Sequence, residues 1–367
     1  MVVASAIACS GKDDRSTAPA APGPARNVDP NPTAHAPAEP SGSPDAPAGN
    51  GPASDGSFPS LFFGESDRAR RQALATQPLR SIEKGRGGRT LAFKIELADG
   101  TVGYYKPEQR FSGSHWYAEL ASYYLDRELG LGRVPPAIGR RLPWADLEKA
   151  SRGDERQEEV DVGEDGMVRG AFVWWIPESL ERLRTGDGWE RWLRQNGRRL
   201  LISPYGRPAE WRDDRNRGRT PKRFGFEGKT PDKPSRPAEL SDMILFDYLT
   251  TNVDRWGGDN TNVRTRGEGG PLLFFDNGAG FSPGDPRLPL TEARLHGIER
   301  FRKATVEAIR GLDLKRLEER MATDPLAPIL IERQWDGLRI RRQHLLEYVK
   351  EIVAKYGDKA FFKEGAP

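Results

Sequence analysis

The stretch that decides the fold covers residues 245–281 and reads LFDYLTTNVDRWGGDNTNVRTRGEGGPLLFFDNGAGF. Apolar residues at helical spacing in its first part predict a helix, and this helix delivers Asp254 to a loop. Asp259 and Asn260 follow Asp254 within six residues. The stretch is therefore expected to start as a helix and to continue as an acidic loop.

The second part of the stretch predicts a β-hairpin. Residues 261–266 have the pattern of a strand, residues 267–270 that of a turn, and residues 272–275 that of a buried strand that ends on Asp276. This hairpin is expected to bring Asp276 back beside the acidic loop.

Three carboxylates that converge in this way repel one another and lose solvation, so they need a proton or a cation to persist. A divalent metal is the simplest answer. In phosphoryl transfer a loop Asp accepts the substrate proton, a side chain five positions later helps to hold metal, and a second Asp holds the metal on the ATP phosphates. Asp254, Asp259 and Asp276 have this order and spacing. Taken singly, an Asp-Arg pair or an Asn-Gly turn is an ordinary surface feature, and it is their combination that favours a functional site.

A second pair of candidate residues lies upstream. Residues 91–97 alternate between apolar and polar, an Asp-Gly turn follows, and the returning strand carries Lys106. Residues 115–129 then predict a helix that contains Glu119. A buried ammonium is costly without a carboxylate partner, and an ATP site needs such a pair. The alternative interpretation is an edge-strand Lys106 and a solvated Glu119.

Together these segments resemble the four-jointed kinases and their relatives among the secretory-pathway (Golgi casein kinase-like) and xylose kinases. The resemblance covers residues 91–357. It rests on YKPEQ at 105–109, AEL at 118–120, FDYLTTNVDR at 246–255 and FDNG at 275–278.

The resemblance implies an α+β, two-lobed, atypical protein-kinase-like fold, with a small β-rich N-lobe that contains one key helix and a mainly helical C-lobe. It also implies roles for six residues. Lys106 would contact the α- and β-phosphates of ATP, Glu119 would pair with it or share the metal, Asp254 would be the catalytic base, and Asp276 would be the principal metal ligand. The acidic loop offers three candidate metal ligands, Asp259, Asn260 and Asn262. Asp259 is favoured by spacing as a metal or nucleotide ligand, with Asn260 second, because an amide oxygen is the commoner ligand of this kind in kinases.

The N-terminal part of the chain predicts a tether. Residues 1–9 end in small residues before Cys9, the only cysteine, and resemble the signal of a bacterial lipoprotein. Residues 10–57 form a Pro- and Ala-rich linker that is expected to be disordered, and residues 58–176 and 177–367 are expected to be the N-lobe and the C-lobe. We therefore expect a bacterial family member in the periplasm or on the cell surface, touching the membrane only through a lipid anchor.

Composition excludes several classes of protein. Lys and Arg together number 57 against 54 Asp and Glu, a net charge of +3, so the chain lacks the basic excess of a dedicated nucleic-acid binder. The mean hydropathy is −0.71, and after the first ten residues no apolar run reaches the length of a membrane span. A single cysteine excludes a disulfide framework.

Four further patterns guide the fold. Ser241-Asp242 is predicted to cap the helix before Asp254, and residues 338–356 to form an amphipathic helix. Residues 171–176 predict a buried strand, with Trp174 and Trp175 as core and adenine-pocket wall. Residues 185–233, which include an Arg-rich run, predict only loops and short helices.

The sequence thus predicts an atypical kinase that transfers the γ-phosphoryl group of ATP to a Ser or Thr hydroxyl of a protein, using Mg²⁺ or Mn²⁺. Two alternatives stay open: a surface pseudokinase or scaffold that binds nucleotide, and a kinase that acts on a sugar or lipid hydroxyl. The partner is accordingly a protein or carbohydrate with a free hydroxyl. The pattern gives no indication of the oligomeric state.

Overall fold

The structure, a computed structural model, describes residues 60–86, 88–111, 113–183, 189–195, 204–205, 230–256 and 262–363. The predicted lipoprotein signal, the linker at 10–57, Asp259, Asn260 and the Arg-rich run at 212–223 lie outside these residues. The first half of the described chain contains β1 (Leu61–Phe62), β2 (Glu65–Ser66), α1 (Arg68–Thr76), β3 (Leu79–Lys84), β4 (Phe93–Leu97), β5 (Val102–Pro107), α2 (Trp116–Glu128), β6 (Ala137–Pro143), α3 (Trp144–Ala150) and β7 (Met167–Trp174). The second half contains β8 (Leu180–Arg182), α4 (Arg236–Thr250), β9 (Arg264–Arg266), β10 (Leu272–Leu273), α5 (Pro289–Leu295), α6 (Lys303–Arg310), α7 (Leu314–Met321) and α8 (Glu332–Tyr356).

A five-stranded antiparallel sheet, in the order β3-β4-β5-β7-β6, forms the core of the N-terminal half. The predicted hairpin of β4 and β5 is present, and its alternation puts Phe93, Ile95 and Leu97 in the core. On β5, Tyr105 is buried and donates its hydroxyl to the carbonyls of Val168 (2.7 Å) and Arg140 (3.0 Å). Successive side chains on a strand alternate between faces, so the Lys106 side chain leaves on the other face.

The C-terminal half is mainly helical, and α4 lies at its centre with every residue buried. The predicted cap at Ser241-Asp242 is wrong, because α4 begins at Arg236, where Pro237 occupies the first turn. Ser241 and Asp242 instead hold the next segment: Ser241 donates to the carbonyl of Arg300 at 2.9 Å, and Asp242 accepts from Arg302 and Thr305. Polar residues in this helix therefore anchor tertiary structure and do not mark its start.

Helix α2 connects the sheet to the C-terminal helices. At its C-terminal end the buried carboxylate of Glu128 accepts from Arg316 and Arg320 of α7. Asp324, just after α7, accepts from the Tyr124 hydroxyl of α2 at 3.2 Å and from the Gly139 amide of β6 at 3.2 Å. These contacts fix the orientation of the helix that carries Glu119.

The predicted α+β arrangement is thus present, with a sheet-rich N-terminal region and a helical C-terminal region. The lobe boundary at residues 176 and 177 stays a prediction. Helix α8 is longer than the predicted 338–356, because it starts at Glu332. Among the described residues, no helix combines the length and the apolar character that a membrane span requires.

Candidate active site

The structure brings Lys106, Glu119 and Asp276 together in one ion cluster. The Lys106 ammonium on β5 donates to Glu119 Oε1 of α2 at 2.5 Å and to Asp276 Oδ1 at 2.7 Å. The side chains of Lys106 and Glu119 are 16% and 3% exposed, whereas that of Asp276 is 43% exposed. We call these three residues the cleft ion cluster, in which the Asp276 carboxylate is the member most open to solvent.

Charge pairing dominates the electrostatics of this cluster. Burial opposes the charge of Lys106, but Asp276 and Glu119 outweigh burial and raise the pKa of the ammonium. The positive charge of Lys106 in turn lowers the pKa of Asp276, against the effect of burial. Lys106 is therefore a cation and Asp276 an anion throughout the physiological range.

The backbone around Asp276 is held in an unusual conformation. Asp276 has φ = 54°, a left-handed value that is uncommon for a residue with a side chain, and Asn252 Nδ2 lies 3.4 Å from its carbonyl oxygen. Two residues later, the carbonyl of Gly278 accepts from the His115 amide at 2.7 Å, at the start of α2. These bonds tie the Asp276 turn to the helix of Glu119 and to the segment that precedes Asp254.

Asp254 is exposed and lies in the same electrostatic environment. Its amide donates to Asn252 Oδ1 at 3.2 Å, which fixes the backbone at the loop entry. Partial desolvation of the carboxyl, and then the charge of Asp276, raise the pKa of Asp254, while Arg255, Arg294 and Lys106 oppose them. Asp254 is therefore a carboxylate near Asp276 with raised basicity.

Arg255, the residue after Asp254, is buried and holds the site in place through three partners. Its Nε donates to Asp247 of α4 at 3.0 Å, its Nη2 donates to Asn277 Oδ1 at 2.6 Å, and its Nη1 donates to the carbonyl of Phe275. Arg255 and Asn277 are fully buried, and Asp247 is almost so. We call Asp247, Arg255 and Asn277 the anchor network, because it joins the Asp254 loop, the Asp276 turn and α4.

Asn262, the candidate ligand of the acidic loop that spacing does not favour, lies at the site. The Asn262 side chain is hydrogen-bonded to Asp276 and helps to lower the pKa of its carboxyl. Asn262 follows Asp254 by eight positions, whereas the five-residue spacing directs attention to Asp259. The signal available was the amide itself, since Asn262 ends the same acidic loop.

The expected convergence of Asp254, Asp259 and Asp276 stays a prediction, because Asp259 and its alternative Asn260 lie outside the described residues. Within the part of the chain that the structure describes, no group of three or more His, Cys, Asp or Glu residues could hold a metal ion. Lys106 lies between Glu119 and Asp276 and forms an ion pair with each.

The two tryptophans at the end of β7 differ. Trp174 is partly buried and packs against the buried Phe62, with ring centroids 5.9 Å apart. The prediction that Trp175 belongs to the core is wrong, because Trp175 is 40% exposed, and the Lys94 ammonium lies 4.7 Å from its ring centroid. The ring centroids of Tyr104 and Trp175 are 5.9 Å apart. Burial raises the pKa of Tyr104, the charge of Lys106 lowers it, and that of Asp276 raises it, so Tyr104 lies near the cleft ion cluster. An aromatic surface thus adjoins the cleft ion cluster.

Comparison with known proteins gives consistent matches. The profile described as "Golgi casein kinase, C-terminal, Fam20" matches residues 155–361, more than half of the chain. The chain is 24% identical over 326 residues to human glycosaminoglycan xylosylkinase, covering 78% of this chain and 75% of that protein. It is 28% identical over 317 residues to human four-jointed box protein 1, covering 76% of this chain and 64% of that protein.

A solved structure shows the same fold. The crystal structure of the Golgi casein kinase with Mn and ADP bound superposes with a TM-score of 0.56 at 18% identity, covering 81% of this chain and 79% of that one. The predicted two-lobed, atypical kinase-like fold is therefore confirmed, and with it the expectation of a phosphotransferase. Because the family profile matches residues 155–361, which are more than half of the chain, the chain belongs to the Golgi casein kinase (Fam20) family.

Proposed function

We propose that this protein transfers the γ-phosphoryl group of ATP to the hydroxyl of a Ser or Thr residue in a protein, with Mg²⁺ or Mn²⁺. The observation that carries the proposal is the position of Lys106 between Glu119 and Asp276, with Asp254 nearby. The Mn and ADP bound in the related Golgi casein kinase structure support the choice of nucleotide and metal.

The donors at the site fit a hard divalent cation. Asp276, Glu119 and the Asn262 amide offer oxygen atoms, the ligand type that Mg²⁺ and Mn²⁺ prefer. Asp276 would be the principal ligand, with a contribution from Asp259 or Asn260, and Glu119 would share the metal or pair with Lys106. The bound metal would neutralise charge on the β- and γ-phosphates.

The protein's own groups then have separable tasks. Lys106 holds the α- and β-phosphates, and the bonds that fix its position keep the nucleotide in register. Asp254 accepts the proton of the acceptor hydroxyl as its oxygen bonds to the γ-phosphorus and the bond to the β-phosphate bridging oxygen breaks, releasing ADP. The raised pKa of Asp254 makes it a better proton acceptor than an ordinary carboxylate.

A sugar hydroxyl is the second candidate acceptor. It is favoured by the match to glycosaminoglycan xylosylkinase, which covers 75% of that protein. A lipid hydroxyl, or nucleotide binding without transfer, would be further outcomes of the same experiment. The lipid-anchored location in the periplasm or on the cell surface stays a prediction.

The test uses purified protein, labelled ATP, Mg²⁺ or Mn²⁺, and panels of Ser/Thr peptides, oligosaccharides and lipids. We expect Asp276→Ala to lower transfer by about 1,000-fold or more, because removing it disrupts charge neutralisation at the phosphates. Asp254→Asn should lower transfer by roughly 100- to 10,000-fold and leave nucleotide affinity unchanged, because it removes only the proton acceptor.

Asp336→Asn is the matched control, since Asp336 is an exposed acid that pairs only with Arg339 on α8 among the described contacts. Equal activity of the wild type and Asp276→Ala would show that the site assignment is wrong. Binding of ATP without transfer to any acceptor would instead identify a pseudokinase.

A further inference from the structure

A second buried arginine, Arg294, contacts the segment that leads to Asp254. It lies on α5 and is only 2% exposed. Its Nη1 donates to the carbonyl of Val253 at 3.0 Å and lies 3.5 Å from that of Asn252. These are the two residues immediately before Asp254, so the guanidinium grips the loop entry by its backbone.

The same guanidinium holds a third segment. Arg294 Nε donates to the carbonyl of Pro204 at 3.0 Å, and the Tyr205 hydroxyl donates to the backbone carbonyl of Arg294 at 2.8 Å. Arg294 thus joins α5, residues 204–205 and the Asp254 loop. A planar fork with several fixed donors suits this task, whereas a lysine would offer one point of attachment.

The charge of Arg294 is poorly compensated by direct contacts. Within the described residues its Nη2 is buried without a hydrogen-bond partner, and its Nε and Nη1 donate to backbone carbonyls and not to carboxylates. Burial lowers the pKa of Arg294 to about 10, while the charges of Asp247 and Asp254 oppose this effect. Arg294 is therefore a cation at neutral pH that the nearby charges of Asp247 and Asp254 favour and that of Arg255 opposes.

Arg255 and Arg294 hold different parts of this loop. Arg255 bonds the carboxylate of Asp247 and the turn of Asn277, and it follows Asp254 in the sequence. Arg294 donates to backbone carbonyls and belongs to no motif of the sequence analysis. Nothing in the sequence pattern therefore indicates that it contacts the Asp254 loop. Arg294 therefore holds the chain just before Asp254, and Arg255 holds it just after.

We propose that Arg294 is a positioning residue for phosphoryl transfer, which holds the carbonyls of Asn252 and Val253 and so presents Asp254 to the acceptor hydroxyl. This inference rests on the proposed function, because it assigns Asp254 as the proton acceptor. It requires that loss of Arg294 impair transfer and spare the nucleotide, since Lys106 and Asp276 are held by other bonds.

The experiment compares Arg294→Gln with Arg341→Gln, a closely matched control. Arg341 is also 2% exposed, burial also lowers its pKa to about 10, and it also donates to backbone carbonyls, those of Leu249 and Pro286. No bond from Arg341 reaches residues 252–254 in the described structure. A purely structural role would affect both variants alike.

For Arg294→Gln we expect kcat to fall roughly 10- to 100-fold while KM for ATP stays within about twofold, because only the orientation of Asp254 is lost. Arg294→Lys keeps the charge and a single donor nitrogen, and it should recover part of kcat. Arg341→Gln should lower the melting temperature but keep kcat within about threefold. A wild-type kcat in Arg294→Gln, or an equal loss in Arg341→Gln, would overturn the proposal.

A second measurement needs no turnover. Chemical denaturation of Arg294→Gln, Asp254→Asn and the double variant forms a thermodynamic cycle. We expect the loss in the folding equilibrium constant on Arg294→Gln to be at least about threefold smaller when Asp254 is already Asn, because the two charges interact. Strict additivity would show that Arg294 does not act on Asp254. Absence of transfer by the wild type would overturn the proposed function instead, and this cycle would still report the interaction between the charges of Arg294 and Asp254.

Discussion

Two neighbouring residues, Asp276 and Asn277, belong to regions of opposite character. Asp276 belongs to the cleft ion cluster, and its side chain is 43% exposed beside Lys106. Asn277 belongs to the anchor network and is fully buried beside Arg255. One turn of the chain therefore contributes a group open to the cleft and, one residue later, a group locked in the interior.

The two regions differ in how their charges are satisfied. In the anchor network, Arg255 bonds the Asp247 carboxylate, the Phe275 carbonyl and Asn277, and both charges are out of water. In the cleft ion cluster, Lys106 serves two carboxylates, one of them half in solvent. Buried charges can exchange partners only at high cost, whereas a half-exposed carboxylate can take a new cation. The anchor network is therefore support, and the cleft ion cluster is the part available for chemistry.

The sharpest way to break this contrast is Arg255→Met. The change leaves the Asp247 carboxylate buried without its cation, and such a loss costs about 3–5 kcal/mol of unfolding free energy. Urea denaturation at pH 7 measures it. Adding Asp247→Leu should restore part of the loss, because the unpaired charge is then removed as well.

The control for this variant is Arg339→Met on α8, where the ion pair with Asp336 is more than half exposed on both sides. It should change the unfolding free energy by about 1 kcal/mol or less. If Arg255→Met were as mild as this control, the anchor network would not support the site.

The sequence predicts those features of the two regions that depend on residues close together in the chain. The β4–β5 hairpin and α2 follow from strand and helix periodicity, and the pairing of Lys106 with Glu119 follows from the cost of a buried ammonium. The hairpin of β9 and β10, which precedes Asp276, likewise follows from the strand and turn pattern of residues 261–275. These predictions depend on residues that are close in sequence or that carry an obligatory partner.

The part that escaped prediction depends on distant contacts. Ser241 and Asp242 have the composition of a cap, but they bond the segment at residues 300–305. Helix α8 starts early because Gln334 bonds the Ile331 amide and the carbonyl of Phe281. No periodicity reports which carbonyl a buried side chain will meet after the chain has folded.

A second variant displaces β5, the strand that carries Lys106 of the cleft ion cluster. Gly170 of β7 lies opposite β5, and a Cβ there would be 2.5 Å from the carbonyl oxygen of Lys106 and 2.6 Å from the Tyr105 ring. Because one of these neighbours is backbone, β5 must move. We expect Gly170→Ala to cost about 1–3 kcal/mol in unfolding free energy and to raise KM for ATP, since Lys106 is displaced.

Gly284→Ala serves as the control, because its Cβ would have no neighbour closer than 3.6 Å and the site is exposed. Thermal denaturation and ATP titration of both variants measure the difference. Equal behaviour of the two would mean that the position of β5 does not set the position of Lys106.

The smallest expected effect separates Asp276 from Asp254 by the sign of their pH dependence. Lys106 lowers the pKa of Asp276 in the folded state, so its ionised form adds stability above about pH 3.8, and this stability is lost as the pH falls through the lower folded value. Burial raises the pKa of Asp254, so its ionisation removes stability as the pH rises above about 3.8. Both contributions should be about 1 kcal/mol or less, because both carboxylates meet solvent.

Denaturation of the wild type, Asp276→Asn and Asp254→Asn between pH 3 and pH 7, without metal or nucleotide, measures the two slopes. The advantage of the wild type over Asp276→Asn should grow with pH, whereas its advantage over Asp254→Asn should shrink. Slopes of the same sign would mean that Lys106 does not distinguish the two carboxylates. Opposite slopes would show that, before any ligand binds, the protein already lowers the pKa of Asp276, the proposed metal ligand, and raises that of Asp254, the proposed proton acceptor.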